Sequence, residues 1–193
     1  MNISLQTLRG TGVAVVTPFK KDFSIDFNSI KNLVNFLIKN GVGYIVVQGT
    51  TGEASTLNEQ EKVLSRIAYV KANNNRVPLV IGIGSNDTRS LTEYIVNADL
   101  EGFCAILSVA PFYSRPTQNG MYQHFSAISS VSPLPIILYN VPLRTGCNLE
   151  PSTSIKLAKN HKNIIGIKEA SGDLNQMSNL ISNRPKDFLI ISG

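Results

Sequence analysis

Short apolar runs alternate along the chain with longer segments in which apolar residues recur every three or four positions. Six of the seven strand-like runs are followed by a segment with helical spacing, which gives a repeating βα pattern. Runs such as Tyr44 to Val47 are apolar throughout, as expected where helices cover a parallel sheet. The pattern therefore predicts an α/β fold. The strand-like runs begin near Val13, Gly43, Val77, Ala105, Pro135, Asn163 and Phe188.

Several helical segments carry recognisable start signals. Asp, Asn and Thr side chains can cap the first turn of a helix, and proline is tolerated there because its position needs no N–H donor. Pro151 stands just inside a segment that starts at Glu150. The capping residues and predicted helices are Asp26 before 27–38, Asn58 before 59–71 and Thr117 before 118–128.

Polar, glycine-containing stretches follow the strand-like runs, for example at 48–54, 139–146 and 168–172. In parallel α/β folds this carboxyl edge of the strands is where active sites form. We expect one domain over 1–193, an incomplete (β/α)8 TIM barrel with about seven strands and six helices, because closure takes eight strands and about 250 residues. An open doubly wound sheet is the alternative fold. No helix follows the run at Phe188, so we expect a piece of a longer protein.

Charge and composition narrow the function classes. The net charge is +5, but the basic residues are scattered, with Lys20-Lys21 as the one adjacent pair, so we expect no nucleic-acid partner. No apolar run approaches the roughly 20 residues that cross a bilayer, and Met1 to Gln6 lack the pattern of a signal peptide. Cys104 and Cys147 lack metal-ligand spacing and are interpreted as reduced thiols. These features favour a soluble, cytoplasmic protein with no membrane partner.

Lys168 is the strongest candidate for chemistry, because it ends an apolar run whose burial would lower the pKa of its amine. At the usual pKa of about 10.4 only about one lysine in 2500 is neutral at pH 7, whereas a pKa of about 8 leaves about one in ten. Strand alternation places Tyr139 on the same inward face, where its phenol could shuttle protons, and Gly166 leaves space below the lysine. The alternative stays open that Lys168 reaches the rim and Tyr139 is a core aromatic residue.

Thr50 and Thr51 lie between glycines just after a strand-like run, in the stretch Gly49-Thr50-Thr51-Gly52-Glu53. Backbone N–H groups and hydroxyls in such a turn can bind a small carboxylate, although a plain turn is an equally open interpretation. The guanidinium of Arg144 could bind a second carboxylate with two hydrogen bonds, unless this arginine is simply exposed in a loop.

Three motifs together resemble the dihydrodipicolinate synthase family, part of the N-acetylneuraminate lyase superfamily of Schiff-base-forming (β/α)8 enzymes. The stretch that begins at Pro111, PFYSRP, fits the same pattern, and the resemblance runs from Gly10 to Gly193. It implies that the last strand and the C-terminal helices of the barrel follow Gly193, over roughly another third of the family's length. The motifs are GTTGE at Gly49, YNVPLRTG at Tyr139 and IGIKEASG at Ile165.

The resemblance implies a catalytic role for four residues. Lys168 resembles the lysine that forms an imine with pyruvate, and Tyr139 resembles the tyrosine that relays protons beside it. Thr51 resembles the central hydroxyl of that relay, and with Thr50 it resembles the clamp on the pyruvate carboxylate. Tyr113 resembles a tyrosine that enters the site of a neighbouring subunit and completes the relay.

The resemblance also implies the reaction and the partners. Arg144 resembles the group that holds the carboxylate of L-aspartate 4-semialdehyde, and Gly193 matches a backbone position near pyruvate. The implied activity is a lyase of lysine (diaminopimelate) biosynthesis, which condenses these two substrates to 4-hydroxy-tetrahydrodipicolinate in a homotetramer built as a dimer of dimers. No metal or cofactor is implied, and His124 and His161 are interpreted as isolated surface or helix histidines.

Two other functions stay open. A sister pyruvate-dependent aldolase, such as an N-acetylneuraminate lyase, would share the lysine and tyrosine, although Arg144 favours a short acidic aldehyde. An inactive barrel fragment could act only as a binding domain, with exposed strand edges that favour aggregation.

The resemblance further predicts weak or absent inhibition by L-lysine. The family's lysine-binding pocket often has two histidines, a glutamate and a tyrosine at positions that differ here, whereas Asn86 matches. A lysine ammonium would lose a carboxylate partner and meet another cation. The differing positions are Glu59, Lys62, Ser90 and Phe112.

Overall fold

A computed structural model of the chain describes residues 8–193, so the expectation for Met1 to Gln6 lies outside the described residues. Strands and helices alternate in the order that the βα pattern predicts, except that two helices lie between the fifth and sixth strands. The strands are β1 Gly12–Ala14, β2 Tyr44–Val47, β3 Leu79–Gly82, β4 Ala105–Val109, β5 Ile136–Asn140, β6 Ile164–Glu169 and β7 Leu189–Ser192. The helices are α1 Phe27–Lys39, α2 Glu59–Asn73, α3 Thr88–Asn97, α4 Gln118–Val131, α5 Pro142–Thr145, α6 Pro151–Asn160 and α7 Leu174–Asn183.

The described residues divide into two compact units, and the first contains those up to Gly82 together with Leu100–Ala105. Within it, β1 pairs in parallel with β2, and β2 pairs in parallel with β3. Helices α1 and α2 pack against each other. Every residue of β2 is buried, whereas β1 is partly exposed and pairs only with β2 among the described residues. The first unit is therefore a parallel βα array in which β1 is an edge strand.

The second unit contains Ile83–Asp99 and Ile106–Gly193. Parallel pairing joins β4 to β5, β5 to β6 and β6 to β7. Helix α4 packs against α3 and α6, and α6 packs against α7. All five residues of β5 are buried, which agrees with its apolar sequence.

The predicted elements are confirmed, with small differences at their ends. Every predicted strand start lies within two residues of the observed one, and the six predicted helices are present. The first strand-like run begins near Val13 in the sequence, whereas β1 is Gly12–Ala14, and the N–H of Val15 still donates to the carbonyl of Val46. Within residues 8–193, β1 is an edge strand whose backbone bonds to β2 on one side.

Side-chain caps explain where the helices begin. The carboxylate of Asp26 accepts hydrogen bonds from the N–H groups of Asn28 and Ser29 at the start of α1. The same arrangement begins α3 at Asp87 and α7 at Asp173. These bonds satisfy N–H groups that have no partner inside the helix.

Two one-turn elements occur in the polar stretches after strands. Thr50–Gly52 forms a 3₁₀ turn and Pro142–Thr145 forms α5. The sequence interpretation treated both stretches as loops, because one turn is too short to produce a periodic apolar pattern. Both turns contain residues predicted to bind substrate carboxylates.

His124 corrects one expectation. It lies in α4 as one interpretation held, but it is only 3% exposed and is not a surface residue. Its Nδ1 lies 2.7 Å from the hydroxyl of Thr88, and its ring packs edge-on against Phe125. Its Nε2 is buried without a hydrogen-bond partner among the described residues. Burial lowers the pKa of His124 to about 4, which keeps the imidazole neutral near pH 7.

This buried imidazole predicts a loss of stability in acid. Between pH 6.5 and pH 4 the unfolded chain binds a proton on His124 that the folded chain excludes, so stability falls as the pH falls. The full effect is about 3 kcal/mol, and His124→Gln should flatten this part of the stability profile. Urea unfolding at several pH values measures it. A ring that titrates at its ordinary pKa in NMR spectra of the folded chain would contradict the prediction.

Candidate active site

Tyr139 and Lys168 lie side by side at the carboxyl ends of two paired strands. They are register partners in the parallel pairing of β5 with β6, so both side chains point to the same face of the sheet. The Nζ atom of Lys168 lies 4.7 Å from the centre of the Tyr139 ring. Tyr139 is buried, whereas Lys168 is half-buried. The predicted pair of amine and phenol is therefore assembled by a single strand pairing.

Burial of Lys168 lowers the pKa of its amine below the ordinary range of lysine. No cation or carboxylate is needed to explain this shift, because loss of water around the ammonium accounts for it. Gly166, two residues earlier on the same face, contributes differently from expectation. A Cβ atom at Gly166 would lie 2.7 Å from Cβ of Leu189, so its space is occupied by β7 and does not remain open.

Gly193 completes this part of the site. Its N–H donates to the carbonyl of Glu169 at 2.9 Å, which places it at the end of β7 beside the end of β6. A Cβ atom at Gly193 would overlap that of Ala170 and lie 3.1 Å from Cε of Lys168. Only a residue without a side chain leaves the lysine stem in its place here.

Tyr113, in the loop after β4, and Arg144, in the one-turn helix α5, belong to two connecting segments that contact each other. The N–H of Tyr113 donates to the carbonyl of Thr145, and the thiol of Cys147 lies 3.0 Å from the carbonyl oxygen of Pro111. Tyr113 is 89% exposed and Arg144 is also exposed. Tyr113 (φ 70°) and Arg115 (φ 48°) both have left-handed backbones, which are uncommon for such side chains. Both candidate residues thus extend from the segments that follow the carboxyl ends of β4 and β5.

Thr50 and Thr51 belong to the first unit and are described within it. Both are exposed on the 3₁₀ turn that follows β2, and the turn is closed by bonds from Gly52 to Gly49 and from Glu53 to Thr50. The hydroxyl of buried Thr17 donates to the carbonyl of Gly52 at 2.6 Å. This bond fixes the turn to the segment after β1, so the threonine pair is presented by a braced backbone.

Thr17, Asn140 and Glu169 were not singled out from the sequence. In the sequence, Thr17 is recognisable only as a polar residue that directly follows a strand-like run. Asn140 and Glu169 directly follow Tyr139 and Lys168, yet alternation turns them to the other face of the sheet, where both are buried. The sequence does carry a signal for Asn140 and Glu169, because each is a polar residue that directly follows a predicted catalytic residue.

Other classes of site are not seen. Among residues 8–193, no group of three or more His, Cys, Asp or Glu side chains is placed to hold a metal ion. Within the same residues, no helix combines the length and apolar character that a membrane crossing requires.

Lys62 and Glu59, two positions of the expected lysine pocket, form an ion pair at 2.8 Å, and the expectation of weak inhibition by L-lysine stays a prediction.

Comparison with known proteins identifies the family. The model of the dihydrodipicolinate synthetase family matches residues 7–193. The chain belongs to this family. The 4-hydroxy-tetrahydrodipicolinate synthase of Flavobacterium psychrophilum is 54% identical over 189 residues, which are 98% of this chain and 64% of that protein. The chain thus spans less than two thirds of the length of such relatives.

Two solved structures of the family show the same fold. One, described as the first monomeric dihydrodipicolinate synthase variant, superposes with a TM-score of 0.93 at 38% identity, over 98% of this chain and 64% of that one. The other is the chloride-inhibited enzyme from Acinetobacter baumannii complexed with pyruvate, with a TM-score of 0.92 at 42% identity, over 96% of this chain and 64% of that one. The predicted fold class, an incomplete (β/α)8 barrel, is confirmed.

The lowered pKa of Lys168 predicts amine reactivity at unusually low pH. Because acylating reagents attack only the neutral amine, its labelling should reach half its maximum below about pH 10.4, the usual value for lysine. Trace acetylation across a pH series, followed by peptide mass spectrometry, measures this. Exposed Lys162 in the same sample corrects for reagent decay. A midpoint at or above the usual value would contradict the burial argument.

Proposed function

We propose that this chain carries the pyruvate-binding and imine-forming part of a 4-hydroxy-tetrahydrodipicolinate synthase. The observation that supports this most directly is the half-buried amine of Lys168, 4.7 Å from the Tyr139 ring, in a member of the dihydrodipicolinate synthetase family. The relatives that the chain matches over nearly its whole length carry this name. The substrates proposed are pyruvate and L-aspartate 4-semialdehyde.

The first step is formation of a Schiff base. The neutral amine of Lys168 attacks the keto carbon of pyruvate, and water leaves as the C=N bond forms. The phenol of Tyr139 delivers and removes the protons that these steps need. The proposal rests on the position of the Tyr139 ring, which lies beside the Lys168 amine. A lowered pKa of Lys168 increases the fraction of reactive amine at neutral pH.

The second step forms the carbon–carbon bond. The protonated imine withdraws electrons, so a methyl proton of the bound pyruvate can leave and an enamine forms. The enamine carbon attacks the aldehyde of the semialdehyde. The substrate's own amino group then displaces Lys168, which releases the cyclic product and the free amine.

Carboxylate binding is proposed for the two braced turns. The Thr50 and Thr51 hydroxyls, on the turn held by Thr17, would bind the carboxylate of pyruvate. Arg144 on α5 would bind the carboxylate of the semialdehyde through its planar guanidinium. Gly193 supplies a backbone position beside the imine.

Assembly and location also remain proposals. Exposed Tyr113 supports a homotetramer, a dimer of dimers in which this phenol completes the relay of a neighbouring copy. One structural relative is described as a monomeric variant. A cytoplasmic location fits a biosynthetic enzyme of this type.

Trapping of the imine tests the proposal. Borohydride with pyruvate should label the peptide that contains Lys168, both in this chain and in the chain extended by the C-terminal third of the F. psychrophilum relative. Lys168→Arg should abolish labelling, whereas Lys162→Arg, an exposed lysine nearby, should not. Labelling of another residue, or of none in both forms, would overturn the proposal.

The same extended chain distinguishes the alternatives. A coupled assay with the next reductase and NADPH should show turnover with the semialdehyde. Turnover only with N-acetylneuraminate would identify a sister aldolase, and imine formation without turnover of either substrate would identify a binding domain.

Tyr139→Phe tests the proton relay. Loss of the phenol should lower turnover of the extended chain by about 10²–10⁴-fold, the usual contribution of a general acid–base group. Tyr122→Phe is the matched control, because its hydroxyl accepts from Asn160 at the contact of α4 with α6. Equal rates for the two variants would remove Tyr139 from the mechanism.

A further inference from the structure

Glu169 is a buried acidic residue directly after the proposed Schiff-base lysine. It is 2% exposed, and its register partner Asn140 is fully buried. Since Tyr139 and Lys168 are partners one position earlier, the two pairs lie back to back on opposite faces of β5 and β6. One pair faces the candidate site and the other faces away from it.

Within residues 8–193, the hydrogen bonds to the carboxylate of Glu169 all come from N–H groups. The Nδ2 of Asn140 donates to both oxygens, at 3.2 and 3.0 Å. The N–H of Ser171 donates to Oε1 at 2.7 Å, and Nε2 of Gln176 donates to Oε2 at 2.8 Å. A carboxylate has acceptors only, so this set of donors matches its charged form without a paired cation.

The same network reaches the loop that carries Arg144. The Oδ1 of Asn140 accepts from the N–H of Leu149 at 2.9 Å, and its Nδ2 donates to Oδ1 of Asn148 at 2.8 Å. Asn148 and Gln176 exchange two further bonds. The segment that contains α5 begins at the carboxyl end of β5, and its later part at 148–149 is hydrogen-bonded back to Asn140 at that same strand end.

Backbone bonds extend the network to Gly193. The backbone carbonyl of Glu169 accepts a hydrogen bond from the N–H of Gly193. The backbone carbonyl of Asn140 accepts one from the N–H of Ala170. Side chains and backbone of one buried pair therefore contact the segments that hold the lysine, the arginine loop and the end of β7. A pair needed only for packing could be apolar, and burial of a carboxylate is costly unless it is fully hydrogen-bonded.

We propose that Glu169 and Asn140 are positioning residues, which hold the Lys168 amine against the Tyr139 phenol and fix the Arg144 loop from behind the sheet. The inference rests on the proposed function, because it concerns the geometry of imine formation. Neither residue touches the substrate. Their effect reaches the site through the register of β5 and β6 and through the ends of the two loops.

Glu169→Gln tests the proposal in the extended chain. The new amide would place an N–H group against N–H donors, which shifts the strand ends. Because a displacement of about 1 Å can cost about 10²-fold, the maximal rate of reductive trapping with pyruvate should fall about tenfold or more. The half-saturating pyruvate concentration should change by less than about twofold, since the binding turn at Thr50 is not altered.

A charge control separates position from electrostatics. Asp87→Asn also removes one negative charge, but this exposed carboxylate lies at the cap of α3, where it accepts hydrogen bonds from the N–H groups of Arg89 and Ser90 and from the hydroxyl of Ser90. Its trapping rate should stay near that of the unchanged chain. All rates are measured at a temperature where circular dichroism shows each variant folded.

The double variant Asn140→Asp with Glu169→Gln provides a rescue. It moves the charge to the partner position, and the amides of Asn148 and Gln176 can rotate together to reverse their donors and acceptors. Trapping should return to within about threefold of the unchanged rate, a coupling that independent sites do not show.

The outcomes are distinct. Losses that add in the double variant, or no loss in Glu169→Gln, would overturn the positioning role. Absence of pyruvate trapping in the unchanged extended chain would instead overturn the proposed function.

Discussion

Parallel register between β5 and β6 is the constraint on which the candidate site depends. It brings Tyr139 beside Lys168 and, one position later, Asn140 beside Glu169. Because side chains alternate between faces, one pairing places the candidate amine and phenol on one face and a hydrogen-bonded pair on the other. A shift by one residue would exchange the two and place the carboxylate where the amine should be.

Burial has opposite consequences for the two charged residues in this strand. The ammonium of Lys168 loses water, and burial lowers its pKa. Glu169 is buried more deeply, yet four hydrogen bonds from N–H groups replace the water around its carboxylate. The two adjacent residues therefore differ in depth of burial and in the hydrogen-bond donors that the fold places around them.

The strands, the helix starts and the pair of Lys168 and Tyr139 could be predicted from sequence. The burial of His124 and the hydrogen-bond network of Glu169 could not, because both depend on contacts between separate elements. Apolar runs and caps such as Asp26 predict strands and helix starts because they reflect local bonding and burial. Lys168 and Tyr139 could be predicted as candidate site residues because they stand near the carboxyl ends of apolar runs, where parallel α/β folds form their sites. Burial of His124 was missed, since it depends on the contact of α4 with α3, which is far away in sequence. The network of Glu169 was missed because its partner Asn140 lies 29 residues earlier in the chain, and their contact follows from the register of β5 with β6.

The left-handed backbones of Tyr113 and Arg115 show that their loop is not shaped by its own residues. Its form is held by contacts with the turn at 145–147, where a Cβ atom on Gly146 would meet the side chain of Arg115. Divergence in one loop must therefore be matched in the other. Across homologues, the segment around Tyr113 and the turn that follows α5 should therefore covary as a unit.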